Sequence, residues 1–247
     1  MLREIQDEYG FLHEINSIIS VGAATPEWIC NTFSQKYLEE IQRTAYVAGN
    51  GFAEAILDRK VTPEGHEGAA FARTNWDLVS SQGFSLVDFV WRAGDDDLPT
   101  GSWEQYYSTA DTVTDHAIAH WRDQTFDRMI VHYIEPHHPY LHTSLAKGKE
   151  TLGEIEAQPF GYLKNGGDRE KVWEMYKTEL RAGLDAVETL LENSEAERVL
   201  ITADHGEAFG EWTGQHHRSG SLHPHVRRVP VVWTSGSDTK THTPDIT

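Results

Sequence analysis

The chain has 247 residues, 38% of them hydrophobic, and carries eight tryptophans, which supports one good-sized folded domain and argues against disorder. Its formal net charge of −18 would repel a phosphate backbone, so nucleic acid is not an expected partner, and an anionic substrate would need a local positive centre, most simply a metal ion. The single cysteine, Cys30, rules out an intramolecular disulfide and a thiolate cluster; no apolar run approaches the roughly 20 residues of a membrane span, so a soluble cytoplasmic protein is expected, its oligomeric state open.

Leu2 to Tyr9 has the apolar spacing of a helix and stops at Gly10. A strand is expected over Ile15 to Val21. It leaves through Gly22-Ala23-Ala24-Thr25-Pro26 into a helix over Glu27 to Ile41, with Trp28, Phe33, Tyr37 and Ile41 available to pack inward. Thr44 to Ala48 is a short strand ending at Gly49-Asn50-Gly51. From Arg59 to Gly101 the pattern is irregular, and Asp95-Asp96-Asp97 within it reads as a solvated acidic loop. Helical spacing returns from Trp103 to Trp121, and Arg128 to Ile134 is the clearest strand of the middle.

Arg169 to Leu191 is a long amphipathic helix with Val172, Met175, Tyr176, Leu180, Leu184, Val187 and Leu191 on one face. It feeds an apolar strand over Arg198 to Ala203. Alternating helices and strands predict a single α/β domain over residues 1–234, a mostly parallel or mixed sheet covered by helices on both faces, with Ser235 to Thr247 as a loose tail. In such sheets ligands gather beyond the carboxyl ends of the strands.

Three segments place polar residues there. Val199 to Ala203 delivers Asp204 and His205, followed at once by Gly206-Glu207, and an adjacent carboxylate and imidazole at a strand end point to a metal site. Ile130 to Ile134 runs into Glu135-Pro136-His137-His138-Pro139-Tyr140, where the prolines stiffen the exit and an imidazole can meet a substrate oxygen or a leaving group. Gln215-His216-His217, with His223 and His225 nearby, precedes Arg227-Arg228-Val229-Pro230. One of these imidazoles can close an anion pocket or complete a second metal site, whereas His223 and His225 read as structural.

Together these blocks resemble the sulfatase-like branch of the alkaline phosphatase superfamily. The likeness spans about residues 128–233 and rests on Thr202-Ala203-Asp204-His205-Gly206-Glu207, on Gly210-Glu211 and a histidine before Arg228-Val229-Pro230, and on the His137-His138-Pro139-Tyr140 strand end. It implies an alkaline-phosphatase-like fold and a divalent ion (Mn, Mg, Ca or Zn) held by Asp204 and His205. It further implies a small anionic ester as substrate, with His137 and His217 contacting it and His216 in reserve.

The family's nucleophile would fall in the loop after the Ile15 strand, where Thr25 is the only hydroxyl. Cys30 is followed by Asn31-Thr32-Phe33, not the pattern that precedes formylglycine formation, so that modification is not expected. The family ordinarily opens on an apolar strand ending in metal-binding acids, and here the chain starts at the helix that follows. The resemblance thus implies an N-terminally incomplete domain. Two functions follow: a metal-dependent hydrolase of sulfate or phosphate esters, or an inactive or partial domain that serves as an anion-binding or structural module.

Overall fold

A computed structural model describes residues 1–58, 76–92, 108–123, 125–145, 147–148, 151–211 and 216–246. The Asp95 to Asp97 loop, the start of the expected Trp103 helix and Gln215 lie outside these residues. Two 3-10 turns, Leu2–Glu4 and Gln6–Glu8, stand where a helix was expected; so short a segment with no side-chain cap does not hold α-geometry alone. Ile5, Tyr9, Phe11 and Leu12 nevertheless bury their side chains.

Strand β1 (Asn16–Ile19) is exposed along its length. Helix α1 (Thr25–Thr32) begins with Pro26 in its first turn and is shorter than the expected Glu27 to Ile41; a 3-10 turn at Gln35–Tyr37 and α2 (Leu38–Ile41) complete that span. Tertiary pairing breaks the helix. Ser34 bridges Leu78, Gln35 N–H donates to Asp77 O at 2.9 Å, and Val79 N–H donates to Phe33 O at 2.9 Å. These bonds hold the Phe33 ring against Tyr46 and Phe84, at centroid distances of 4.9 and 5.0 Å.

Next come β2 (Thr44–Ala48), α3 (Gly51–Leu57), β3 (Leu86–Phe89), α4 (Ala110–Asp123), β4 (Arg128–His132), α5 (Leu141–Leu145), α6 (Glu154–Ala157), α7 (Pro159–Lys164), α8 (Arg169–Glu192), β5 (Ala196–Thr202), α9 (Pro224–Arg227) and β6 (Arg228–Gly236). The chain is α/β, but its described strands form two three-stranded sheets instead of one. The order β3-β2-β4 is parallel, and β1-β6-β5 is antiparallel.

Buried at every position, β2 is the centre of the parallel sheet. One face (Tyr46, Ala48, Ile130) packs on Ile29 and Cys30 of α1, on Phe33 just beyond it, and on Ala53 and Ile56 of α3. The other (Val47, Met129, Val131) packs on Val113, Ala117 and Leu190 of α4 and α8. Helices therefore cover both faces of this sheet, as its apolar run requires.

In α8, Asp168 caps the first turn by accepting from Glu170 N–H at 3.0 Å and Lys171 N–H at 3.4 Å. Its apolar face divides between two clusters. Val172, Met175 and Tyr176 meet Tyr140 and Phe209, while Leu180, Leu184, Val187 and Leu191 meet Val199, Ile201 and Val232 of the antiparallel sheet. The opposite side of that sheet leaves Leu200 and Trp233 exposed, so β5 is not buried on both faces as its apolar run suggested.

The segment after β6 is tied down, not loose. Arg122 donates to Asp238 Oδ1 at 2.8 Å and to His242 O at 3.0 Å, and His242 N–H donates to Asn193 Oδ1 at 2.9 Å. No described helix is long and apolar enough to cross a membrane.

Beneath the strand end that carries His137 lies a buried polar group. His142 Nε2 stands 3.2 Å from Glu135 Oε1 and 4.0 Å from Glu179 Oε2, and both carboxylate side chains are wholly buried. Burial, reinforced by the charge of Glu135 and opposed by His142, raises the Glu179 carboxyl from 4.5 to about 8. The His142 imidazole is raised too: burial works against it, but the hydrogen bond with Glu135 and the two carboxylates prevail.

Each group binds its proton more tightly folded than unfolded, so its stabilisation is complete at low pH and lost as pH rises through the folded value. We expect the contribution of Glu179 to the unfolding free energy to fall by on the order of 1 kcal/mol per pH unit between about pH 5 and 8, most visibly above about pH 6.5, where the lowered histidines of the His137 loop no longer oppose it. Glu179→Gln should flatten that slope in urea titrations, and an unchanged slope would reject this assignment.

Candidate active site

Thr25 is the first residue of α1, so its hydroxyl sits at a helix N-terminus, where backbone N–H groups favour an anion. Thr25 Oγ donates to Asp204 Oδ2 at 2.6 Å, and His205 Nε2 stands 3.4 Å from the same hydroxyl. The turn that presents Asp204 and His205 is clamped from several sides. His205 N–H donates to Asp204 Oδ1 at 2.8 Å, and Ser20 Oγ donates to Asp204 O. Gly206 N–H donates to Val226 O at 2.7 Å. A Cβ on Gly206 would lie 2.1 Å from His225 O, so only glycine lets the two backbones meet this closely.

Behind Asp204 stands His132, the last residue of β4, with Nε2 at 3.8 Å from Asp204 Oδ2 and Nδ1 at 2.7 Å from the buried Tyr46 hydroxyl. The Trp28 ring packs edge-on against the His132 ring at 5.3 Å. Burial alone would raise the Asp204 carboxyl. The His205 imidazole, His132 and the Thr25 hydroxyl outweigh it and hold the carboxyl well below the usual carboxylate range.

The His137 loop and the segment after Phe209 bring four more rings together. The His217 ring lies 4.0 Å from His205 and 5.2 Å from His137, and the His216 ring lies 4.0 Å from His217. Glu207 organises them: its Oε2 accepts from His217 Nδ1–H at 2.9 Å, and its Oε1 stands 3.5 Å from His216 Nδ1. Burial raises the Glu207 carboxyl, but His216 and His217 prevail and keep it well below its ordinary value. His216 adopts a φ of 66°, a left-handed conformation that non-glycine residues rarely take.

Burial pushes His137 well below its ordinary value, aided by His138 and His217. It takes His138 to about 4, aided by His216, and lowers His217 against the pull of Glu207. These three imidazoles are neutral near pH 7.

The hydrogen-bond partners assign their tautomers. His137 Nδ1 meets His138 O, His205 Nδ1 meets Gly206 O at 2.9 Å, and His217 Nδ1 meets Glu207 Oε2. Carbonyl and carboxylate oxygens only accept, so each Nδ1 carries the hydrogen, and in the neutral His137 and His217 rings Nε2 keeps a bare lone pair. Imidazoles that ligate metals are held in this way by outer partners.

The donor atoms of Glu207, His216 and His217 lie within 4.8 Å of one another, and Glu207 Oε1 and His216 Nδ1 are buried without a hydrogen-bond partner among the described residues. A carboxylate and two imidazoles suit a divalent ion such as Zn²⁺; this cluster does not include Asp204 and His205, the pair to which the sequence assigned the metal.

Thr25, His137, Asp204, His205 and His217 all line one cavity of about 1830 Å³. Facing β4 and β5 form two of its walls. His223 and His225 turn instead to Glu211, with His223 Nε2 donating to its carbonyl at 3.0 Å. The sequence reading did not single out His132 or Tyr46, and it named Glu207 in the strand-end motif without giving it a role. Glu207 was legible, two residues beyond His205; His132 lies inside an apolar strand and Tyr46 looks like core. No protein-family model, curated protein or solved structure matches the chain.

Proposed function

We propose that the chain is a metal-dependent hydrolase of sulfate or phosphate esters in which Thr25 is the nucleophile. One observation carries this reading: a hydroxyl at a helix N-terminus is aimed by Asp204 beside three histidines that each turn Nδ1 to an acceptor oxygen. Carboxylates and imidazole lone pairs would repel an anionic ester, so the cleft needs a cation before it can take one. Asp204, Glu207, His216 and His217 would hold that divalent ion, which leaves His205 Nε2 free beside the Thr25 hydroxyl. When bound, the ion would supply positive charge for the ester and lower the pKa of a nearby hydroxyl.

The chain's own residues do the rest. Asp204 is too weak a base to take a proton outright at neutral pH; it orients the Thr25 O–H and leaves the oxygen lone pairs for the ester. His205 Nε2 is the second acceptor in reach of that hydrogen. Thr25 Oγ then attacks phosphorus or sulfur, the ester alkoxide departs, and water later hydrolyses the threonine ester. The N-terminal turn of α1 stabilises the added negative charge.

The test is turnover of p-nitrophenyl phosphate and p-nitrophenyl sulfate with Mn²⁺, Mg²⁺ or Zn²⁺. Chelation should lower the rate by at least about 100-fold, and added metal should restore it. Turnover indifferent to chelation rejects the proposal. Metal-dependent phosphate binding without turnover favours the anion-binding module instead.

A further inference from the structure

The parallel sheet carries a second constellation on its other face. Asp88 is on the edge strand β3, in register with Val47, whose side chain points toward α4; Tyr46, which serves the Thr25 site, points the opposite way. His116 and His120 lie four residues apart on α4 and so share one side of that helix. His116 Nδ1 is 2.7 Å and His120 Nε2 2.6 Å from the same oxygen, Asp88 Oδ2. The three side chains are 18%, 24% and 22% exposed for His116, His120 and Asp88, sheltered yet open to an entering ion.

We propose that Asp88, His116 and His120 form a metal site separate from the active site, taking Zn²⁺ through one carboxylate oxygen and two imidazole nitrogens, with water in the fourth position. The three donor atoms lie within 4.8 Å of one another. Zinc sits about 2.0–2.2 Å from such donors, which spaces tetrahedral ligand atoms about 3.3–3.5 Å apart. The present contacts need to open by under about 1 Å, within reach of side-chain rotation.

The donor types fit. Two imidazoles and a carboxylate suit Zn²⁺ and neighbouring late divalent metals, and fit Mg²⁺ or Ca²⁺ poorly because those prefer all-oxygen sites. Three protein ligands with an open fourth position is the arrangement of a reactive zinc site more than a closed structural one. The ion would also clip the edge strand to α4, so that binding energy becomes folding energy.

The experiment is equilibrium dialysis of the full chain against Zn²⁺ with metal analysis, beside a competitive chelator titration. His116→Ala/His120→Ala should bind one Zn²⁺ fewer per chain, lose the zinc-induced rise in melting temperature that this site supplies, and leave nitrophenyl ester turnover within about threefold of wild type. Asp88→Asn keeps the side-chain volume and an acceptor oxygen while removing the anionic ligand. It should weaken zinc at this site by at least about tenfold, and it decides the matter if the double variant fails to fold. Unchanged zinc stoichiometry and affinity in Asp88→Asn, or in a folded double variant, overturns the proposal; the separate turnover readout keeps that failure distinct from a failure of the active-site reading.

Discussion

Asp204→Asn is expected to lower kcat/KM for a nitrophenyl ester by about 1,000-fold or more, while circular dichroism shows a folded chain. Asparagine preserves the shape of the turn and can still accept from His205 N–H, which meets Oδ1 at 2.8 Å. What it loses is the anion at Oδ2. There the Thr25 hydroxyl donates at 2.6 Å, with His205 and His132 at 3.5 and 3.8 Å. An amide N–H at that position would compete with the Thr25 hydrogen instead of accepting it.

Metal affinity should fall as well, by about 10- to 100-fold, because one carboxylate ligand disappears and the imidazoles lose an orienting partner. Turnover within about threefold of wild type would remove Asp204 from the site. A large loss in kcat with unchanged metal affinity would leave Asp204 the task of aiming Thr25 and deny it that of ligand.

The site was more legible than the sheets that build it. Asp204, His205, His137 and Thr25 each follow an apolar strand, and a chain that alternates strands with helices puts such exits at one end. The same reasoning misjudged β5. Its apolar run suits a strand buried on both faces of a mostly parallel sheet, yet it pairs antiparallel with β6 and mixes exposed with half-buried positions. The partner was obscured by Pro230, which cannot donate to a ladder and normally argues against a strand; here it sits opposite Ser17 in an antiparallel pair and its carbonyl accepts from Thr202 Oγ at 2.7 Å.

Strand β3 was hidden for another reason. It is four residues long, beside a stretch without periodicity, and only its pairing with β2 reveals it. Asp88 was lost with it. His116 and His120 lay in plain sight at helical spacing, but two histidines on a helix carry little meaning until a third donor is placed against them. Long-range pairing is also what ended α1 at Thr32, where backbone bonds to Asp77 and Val79 override a helix-compatible sequence.

Thr25→Ala should reduce kcat by about 10,000-fold or more while leaving the metal affinity within about threefold, since it deletes the attacking oxygen and leaves every carboxylate and imidazole in place. Thr25→Ser separates chemistry from scaffolding. Serine keeps the hydroxyl and can repeat the 2.6 Å hydrogen bond to Asp204, so activity should survive with a loss of about tenfold from the extra rotamers open to an unbranched side chain. The helix start is preserved in both variants, because Pro26 remains in the first turn and Trp28 N–H still donates to Ala24 O at 3.1 Å.

Intact-mass measurement after a rapid quench adds a readout that a structural role would not produce: a phosphorylated or sulfated chain in wild type and Thr25→Ser, and none in Thr25→Ala. If Thr25→Ala turned over at the wild-type rate, the nucleophile would have to be water held by the same donors. His205 Nε2, 3.4 Å from where the threonine oxygen had been, would then be the base that activates it.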